Sequence, residues 1–312
     1  MLGDRTGRRQ VNRRGWALFA AMALVWGIPY LLIKVAVGDL SPTSLVFVRT
    51  VIGALLLVPL AAARGSLGPL RPHWKAVLAY TVIEVTVPWL LLANAERHLS
   101  SSLTGLLVAA VPLIGAVLGL LVGDDDRLDV RRGAGLVVGF AGVAALLGLD
   151  LSGVDVGGVV QVLLVATCYA IGPMIVARRL SGVPALGVVT ASLALTAVVY
   201  APLGVAQLPR ALPSAQVVAS VGILGAVCTA LAFLLFFALI AEVGPLRAQA
   251  ITYVNPAVAL ALGVALLGEP FTVGAVVGFL LILIGLVLAT RRRPGAGARR
   301  ELRDEPSGDA AA

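Results

Sequence analysis

Glu84 and Pro88 stand four residues apart inside "TVIEVTVPWLLL", an otherwise apolar stretch. In a membrane such a carboxylate costs about 2.5–3.5 kcal/mol on insertion scales. Three uses would repay that cost: exchanging a proton, holding a substrate amine, or tying helices together by a hydrogen bond. Pro88 denies a helical donor to the carbonyl four residues back, which is that of Glu84 itself. Tyr80, Thr81 and Pro88 share its helical face at spacings of three and four.

Lys34 and Arg49 also fall within apolar runs. They could bind a substrate carboxylate or form an outward gate, with Asp39 or Glu269 as partners. They could equally snorkel to the headgroups. Trp26, Tyr30, Trp89, Tyr169 and Tyr253 could line a cavity, and Asn255 could hydrogen-bond a substrate; packing is the competing role for each. Pro112 and Pro256 interrupt their segments in the same manner, either shaping a site and its gating or simply kinking the helix.

The elements that must position these residues follow from composition. Of 312 residues, 59% are hydrophobic and 13% charged, about half the charge density of a globular domain. Only a bilayer hides that much apolar surface. Ten apolar spans of roughly 20 residues are read at 16–37, 43–63, 76–95, 101–122, 133–149, 156–177, 184–206, 215–240, 248–267 and 271–290. The first exceeds a signal-peptide core of about 7–15 residues and is expected to stay in the membrane. The sequence thus divides into a basic N-terminal stretch (1–15), two five-span halves (16–149 and 156–290) and a charged tail (291–312), expected to be disordered.

The net charge of +8 does not point to nucleic acid, because no basic patch is interleaved with aromatics. With the N-terminus inside, twenty of the 24 Lys and Arg fall on one side and two, Arg97 and Arg210, on the other. That bias predicts both termini in the cytoplasm. Cys168 and Cys228 read as small buried hydrophobes. Asp124, Asp125, Asp126 and Asp129 lie beside Arg127, Arg131 and Arg132 and read as a solvated loop, not a metal site. No catalytic or cofactor motif is visible, so neither enzymatic activity nor a cofactor is expected.

An internal repeat relates the halves. "VPLIGAVLGLLVGDD" at 111–125 matches "NPAVALALGVALLGE" at 255–269: Pro112 pairs with Pro256, Gly119 with Gly263, and Asp125 with Glu269. In the following span, Gly135 and Gly142 match Gly278 and Gly285. Five spans per half is an odd number, so the second half enters the membrane inverted. Inverted repeats about a midplane site are characteristic of secondary transporters. Gly115, Gly119 and Gly123, then Gly135 and Gly139, then Gly274 and Gly278, form small-residue stripes for close helix packing, within the bundle or in a homo-oligomer.

These residues also resemble the EamA-type transporters of the drug/metabolite transporter superfamily. "VWGIPYLLIKVAV" is similar to the family's Trp-Gly pattern followed by a lysine. "LSPTSLVFVRTVIGALLLVPLA" is similar to its Ser-Pro, Phe-x-Arg and Leu-Pro pattern. "HLSSSLTGLLVAAVPLIGAVLG" and "LGEPFTVGAVVGFLLILIGLVLA" resemble its span 3–4 junction and its closing Gly-Glu span. The Gly-Glu is Asp-Asp-Asp in the first half, and Trp26-Gly27 becomes Tyr169-Ala170 in the second.

The resemblance implies ten helices in two inverted repeats around a central cavity, and transport of small metabolites, commonly export of amino acids or related compounds. The expectation is therefore an all-α secondary transporter of the plasma membrane of a bacterium, with the lipid bilayer, a small-molecule substrate and, through Glu84, protons as partners. A non-transporting membrane scaffold or lipid-binding protein is the alternative.

Overall fold

A computed structural model of the chain describes residues 12–122, 129–148 and 155–290. The acidic stretch at 124–126 with Arg127, Gly123, most of the basic N-terminal segment and the tail from 291 lie outside them. Among the described residues all regular structure is helical, with no strand.

Among the described residues the long helices follow in order. They are α1 (Arg13–Ala36), α2 (Pro42–Ala63), α3 (Gly68–Ala95), α4 (Ser101–Leu121), α5 (Val130–Leu147), α6 (Val156–Arg179), α7 (Ala185–Ala206), α8 (Ala215–Val243), α9 (Gln249–Leu267) and α10 (Val273–Thr290). By length and hydropathy α1–α9 suffice to cross a membrane, and α10 adds a further apolar helix. Their starts are set by capping. Asn12, Ser41, Ser100, Asp155 and Ser214 each accept from a backbone N–H two or three residues on, satisfying donors that a helix leaves unpaired.

Several helices are irregular inside the bundle. α4 breaks at Ala109 and Ala110, and its second piece, Val111–Leu121, opens with Pro112. α9 begins as a 3₁₀ helix, Gln249–Tyr253, and becomes α-helical at Asn255–Leu267 with Pro256 in its first turn. Both prolines thus sit where a missing N–H costs nothing. They start helices rather than kink them.

α3 and α8 each contain a π-helical turn, Thr81–Thr86 and Ala226–Leu231. Pro88 follows the first and donates nothing to the Glu84 carbonyl. The second forms without a nearby proline, with the Thr229 hydroxyl donating to the Leu224 carbonyl at 2.7 Å. The widening is therefore not the work of proline alone.

The halves interlock. α1 packs on α8 and α9, while their counterparts α6, α3 and α4 pack in the same combination. α2 lies along α7 and α4 along α9. The closest seam joins α5 to α10. A Cβ on Gly135 would lie 2.7 Å from the Gly285 carbonyl oxygen, and one on Gly285 2.5 Å from that of Gly135. Gly142 and Gly278 stand in the same relation, each 2.7 Å from the other's carbonyl oxygen. In the repeat Gly135 corresponds to Gly278 and Gly142 to Gly285. The contact is therefore reciprocal, as at a two-fold interface. These glycine stripes are used inside the bundle. Gly119, by contrast, has no atom within 4 Å of where its Cβ would stand.

Candidate functional site

Arg49 is a basic residue buried between the halves, 7% exposed. From α2 its Nε donates to Thr229 Oγ1 on α8 at 3.0 Å. Its guanidinium carbon lies 3.7 Å from the centre of the Trp89 ring on α3. The aromatic face offers a cation partial compensation for lost water. No carboxylate forms a salt bridge with it among the described residues, and the bond through Nε leaves both Nη groups for a further acceptor. Tyr30, Tyr169, Cys228 and Glu96 are near enough to feel its charge. A fixed cation with free, fork-shaped donors and aromatic walls is suited to a planar anion such as a carboxylate.

Glu84 lies on the π-turn of α3, where the wide turn aims it at α6. A Cβ on Gly172 would overlap its Oε2, so the glycine makes room for the carboxylate. Oε2 is buried without a hydrogen-bond partner, and Tyr80, Cys168 and Tyr169 sense its charge. Hydrogen bonds tie the turn to α7: the Tyr200 hydroxyl donates to the Thr86 carbonyl at 2.8 Å, and Thr81 Oγ1 donates to Ser192 Oγ at 2.9 Å.

Lys34 neither snorkels outward nor pairs with Asp39 or Glu269. Its Nζ donates to the carbonyls of Glu96 and Leu99, both at 2.7 Å, closing the C-terminal end of α3 with a cation, as the helix dipole favours. Asp39 instead accepts from Ser214 N at 3.1 Å, at the start of α8.

Glu269 accepts from the Ser101 and Ser102 amides at 2.7 and 2.8 Å, at the start of α4. Gly268, left-handed at φ 66°, ends α9 just before it. Burial opposes the charge on Glu269, but the hydrogen bonds from Ser102 and Ser101 outweigh burial and hold its carboxyl below the ordinary range.

The other sequence-selected residues divide. Tyr30 and Trp89 are buried in the central core, with Tyr169 packed on it. Tyr80 is buried with Leu70, Val77, Leu180 and Val188, close to Glu84. Trp26 packs edge-on against Phe233 and tilted on Phe236 of α8. Tyr253 is 38% exposed on the 3₁₀ turn of α9 and does not join the cluster. Asn255 is buried; with its amide nitrogen turned toward them, it donates to the carbonyls of Ala23 and Ile251 at 3.1 and 3.0 Å. Pro88 is buried, as is Trp89 after it in the chain.

Sequence reasoning missed Glu96. It follows the last residue of α3 in "ANAERHLSSS", where a charge at the end of a span ordinarily belongs to a solvated connection. Here it is 0% exposed, and neither carboxylate oxygen has a hydrogen-bond partner. No local pattern announces this; Glu96 is buried, while Arg97 and His98 beside it are exposed, because α1 and the α9–α10 connection pack against its side of the turn.

The chain is 26% identical over 279 residues to "Uncharacterized transporter YvbV" of Bacillus subtilis, covering 88% of this chain and 91% of that protein. It is 28% identical over 277 residues to "Uncharacterized inner membrane transporter YedA" of Escherichia coli, covering 88% and 89%. A solved crystal structure superposes with a TM-score of 0.64 at 22% identity, covering 90% of this chain and 98% of the other, which is a likeness of fold alone. The model of the EamA-like transporter family matches twice, over residues 13–148 and 156–291. With that duplicated match across nearly all its apolar helices, the chain belongs to the EamA-like transporter family of membrane proteins.

Proposed function

We propose that this protein is a secondary active transporter that exports a small polar or amphipathic metabolite, such as an amino acid or related compound, across a bacterial plasma membrane. The observation that carries this reading is Arg49: a cation buried between the two halves, without an acidic partner, set against Trp89 and Thr229. A substrate carboxylate would take the free Nη donors, with Tyr30 and Tyr169 beside it. Glu84, unpartnered on its π-turn, would exchange a proton as the site turns from one side to the other.

The ten helices are read as spans with both termini in the cytoplasm. Arg13, Arg14, Arg64, Arg71, Lys75, Arg131, Arg132, Arg178, Arg179 and Arg247 favour one end of the bundle, and Arg97 and Arg210 the other. The reciprocal α5–α10 seam supports two inverted repeats. Exchange of conformations between two such halves gives alternating access to a midplane site.

Proteoliposome flux tests the reading. Saturable efflux of some member of an amino-acid and metabolite panel is expected, with apparent affinity lowered roughly 10–100-fold by Arg49→Ala. No saturable flux in either orientation would overturn it. For the proton, a pH jump should drive flux in the parent protein but not in Glu84→Gln; gradient-driven transport that survives Glu84→Gln removes Glu84 as carrier.

A further inference from the structure

The turn from α3 to α4 is held from two sides by opposite charges. On its carbonyl side Lys34 binds the Glu96 and Leu99 carbonyls; on its amide side Glu269 binds the Ser101 and Ser102 N–H groups. Each clamp comes from a different part of the chain, α1 and the α9–α10 connection. Glu96 stands between them, fully buried, with both carboxylate oxygens unpartnered. Lys34 holds the backbone carbonyl of this residue while leaving its carboxyl group alone. That is an odd arrangement if the carboxyl is charged: a buried ammonium and a buried carboxylate within reach would pair with each other. It is the expected arrangement if the carboxyl is neutral.

We propose that Glu96 is a proton-binding switch that controls the clamp on the α3–α4 turn and, with it, access to the central site from this end of the bundle. Protonated, Glu96 leaves Lys34 on the two carbonyls and Glu269 on the two amides, and the end is closed. Once the proton leaves, the carboxylate draws the Lys34 ammonium off the carbonyls and repels Glu269 from the amides. Both clamps weaken together and the turn loosens. The charged and titratable groups around Glu96 are Lys34 and Tyr30 from α1, Arg49 from α2 and Glu269 from the α9–α10 connection. Within its own turn stand Arg97 and His98, and His98 lies 3.7 Å from Asp155 at the start of α6. Lys34 is the group committed to the turn itself, so it carries the response.

The switch deepens the transporter reading but can be read without any gradient. Cys228 is 2% exposed and neighbours Thr229, so its labelling by a water-soluble maleimide reports opening of the centre. The protein, carrying Cys168→Ala so that Cys228 is its remaining thiol, is reconstituted in lipid nanodiscs and labelled at roughly pH 5.5 and roughly pH 8, on either side of neutrality. Each rate is divided by that of a free thiol at the same pH, which removes the intrinsic thiolate chemistry.

Relative labelling is expected to rise about tenfold at the higher pH in the parent, a population shift of ordinary size. Glu96→Gln should stay slow at both values, and Lys34→Gln should be fast at both. The proposal is overturned if the parent shows no pH response, if Glu96→Gln keeps the response, or if Lys34→Gln stays slow. Should Glu96→Gln fail to elute as folded protein, the Lys34→Gln arm decides alone. Absence of flux with this labelling pattern intact would instead remove the transporter reading and leave the switch.

Discussion

The two halves of the molecule meet in two contrasting ways. Along α5 and α10 the repeat is obeyed: Gly135 faces Gly285 and Gly142 faces Gly278, and corresponding residues do the same job in each direction. At the centre the frame is kept but its occupants differ. α3 and α8 both widen into a six-residue π-turn, and Glu84 and Thr229 are each the fourth residue of that turn. Glu84 faces Gly172 with an unpartnered oxygen; Thr229 receives the Arg49 guanidinium. Where the repeat matches in residue type, it serves packing. Where the backbone matches and the side chains do not, one half supplies a carboxylate and the other a perch for a cation.

Breaking the symmetric seam should have the largest effect. Gly142→Leu places a side chain against the backbone of α10, and a loss of about 3 kcal/mol or more is expected, read as failure to elute folded or a large drop in thermal unfolding temperature. Gly119→Leu, in open space, is the matched control and should be close to neutral. If both variants behave alike, the seam is not what holds the last helices together.

Next comes the asymmetric centre. Arg49→Ala should lower apparent substrate affinity by roughly 10–100-fold, the range for a lost charge-assisted bond, while thermal stability holds or rises because a buried charge is gone. Thr229→Val should cost less, about 1 kcal/mol for one hydrogen bond or several-fold in apparent KM, because Trp89 still supports the guanidinium. A larger effect from Thr229→Val than from Arg49→Ala would mean that the π-turn of α8, not its cation, is the essential feature.

The smallest effect concerns Glu269, which caps α4. Its carboxyl is held below the ordinary range, so its stabilisation is fully present above the unfolded value, about 4.3, and is lost as pH falls through the lowered folded value. Unfolding followed from neutral to acid pH should show this loss in the parent. Glu269→Gln should be about 1 kcal/mol less stable at neutral pH and flatter in the acid range.

The sequence made some of this legible. Length and hydropathy marked the helices to within three residues except at the start of α3, which begins eight residues before the expected 76, because burying a span in lipid demands an uninterrupted apolar run. Glu84, Lys34 and Arg49 stood out because charge in an apolar run is costly. Their partners were not legible: Lys34 binds backbone carbonyls, which have no sequence signature, and Arg49 reaches a threonine 180 positions away. Nothing in the sequence singled out Glu96, and Tyr253 looked interior yet is partly exposed.

What the sequence determined by itself was therefore the medium and the parts: an apolar chain of duplicated helical segments with a few costly charges, since solvation energy depends on composition along the chain. What only the tertiary structure decided was which charges are compensated and by what. Compensation is a matter of a few ångströms between groups on different helices. It took the crossing of α2 over α8 to give Arg49 its threonine, and the packing of α1 and the α9–α10 connection against one side of a turn to bury Glu96.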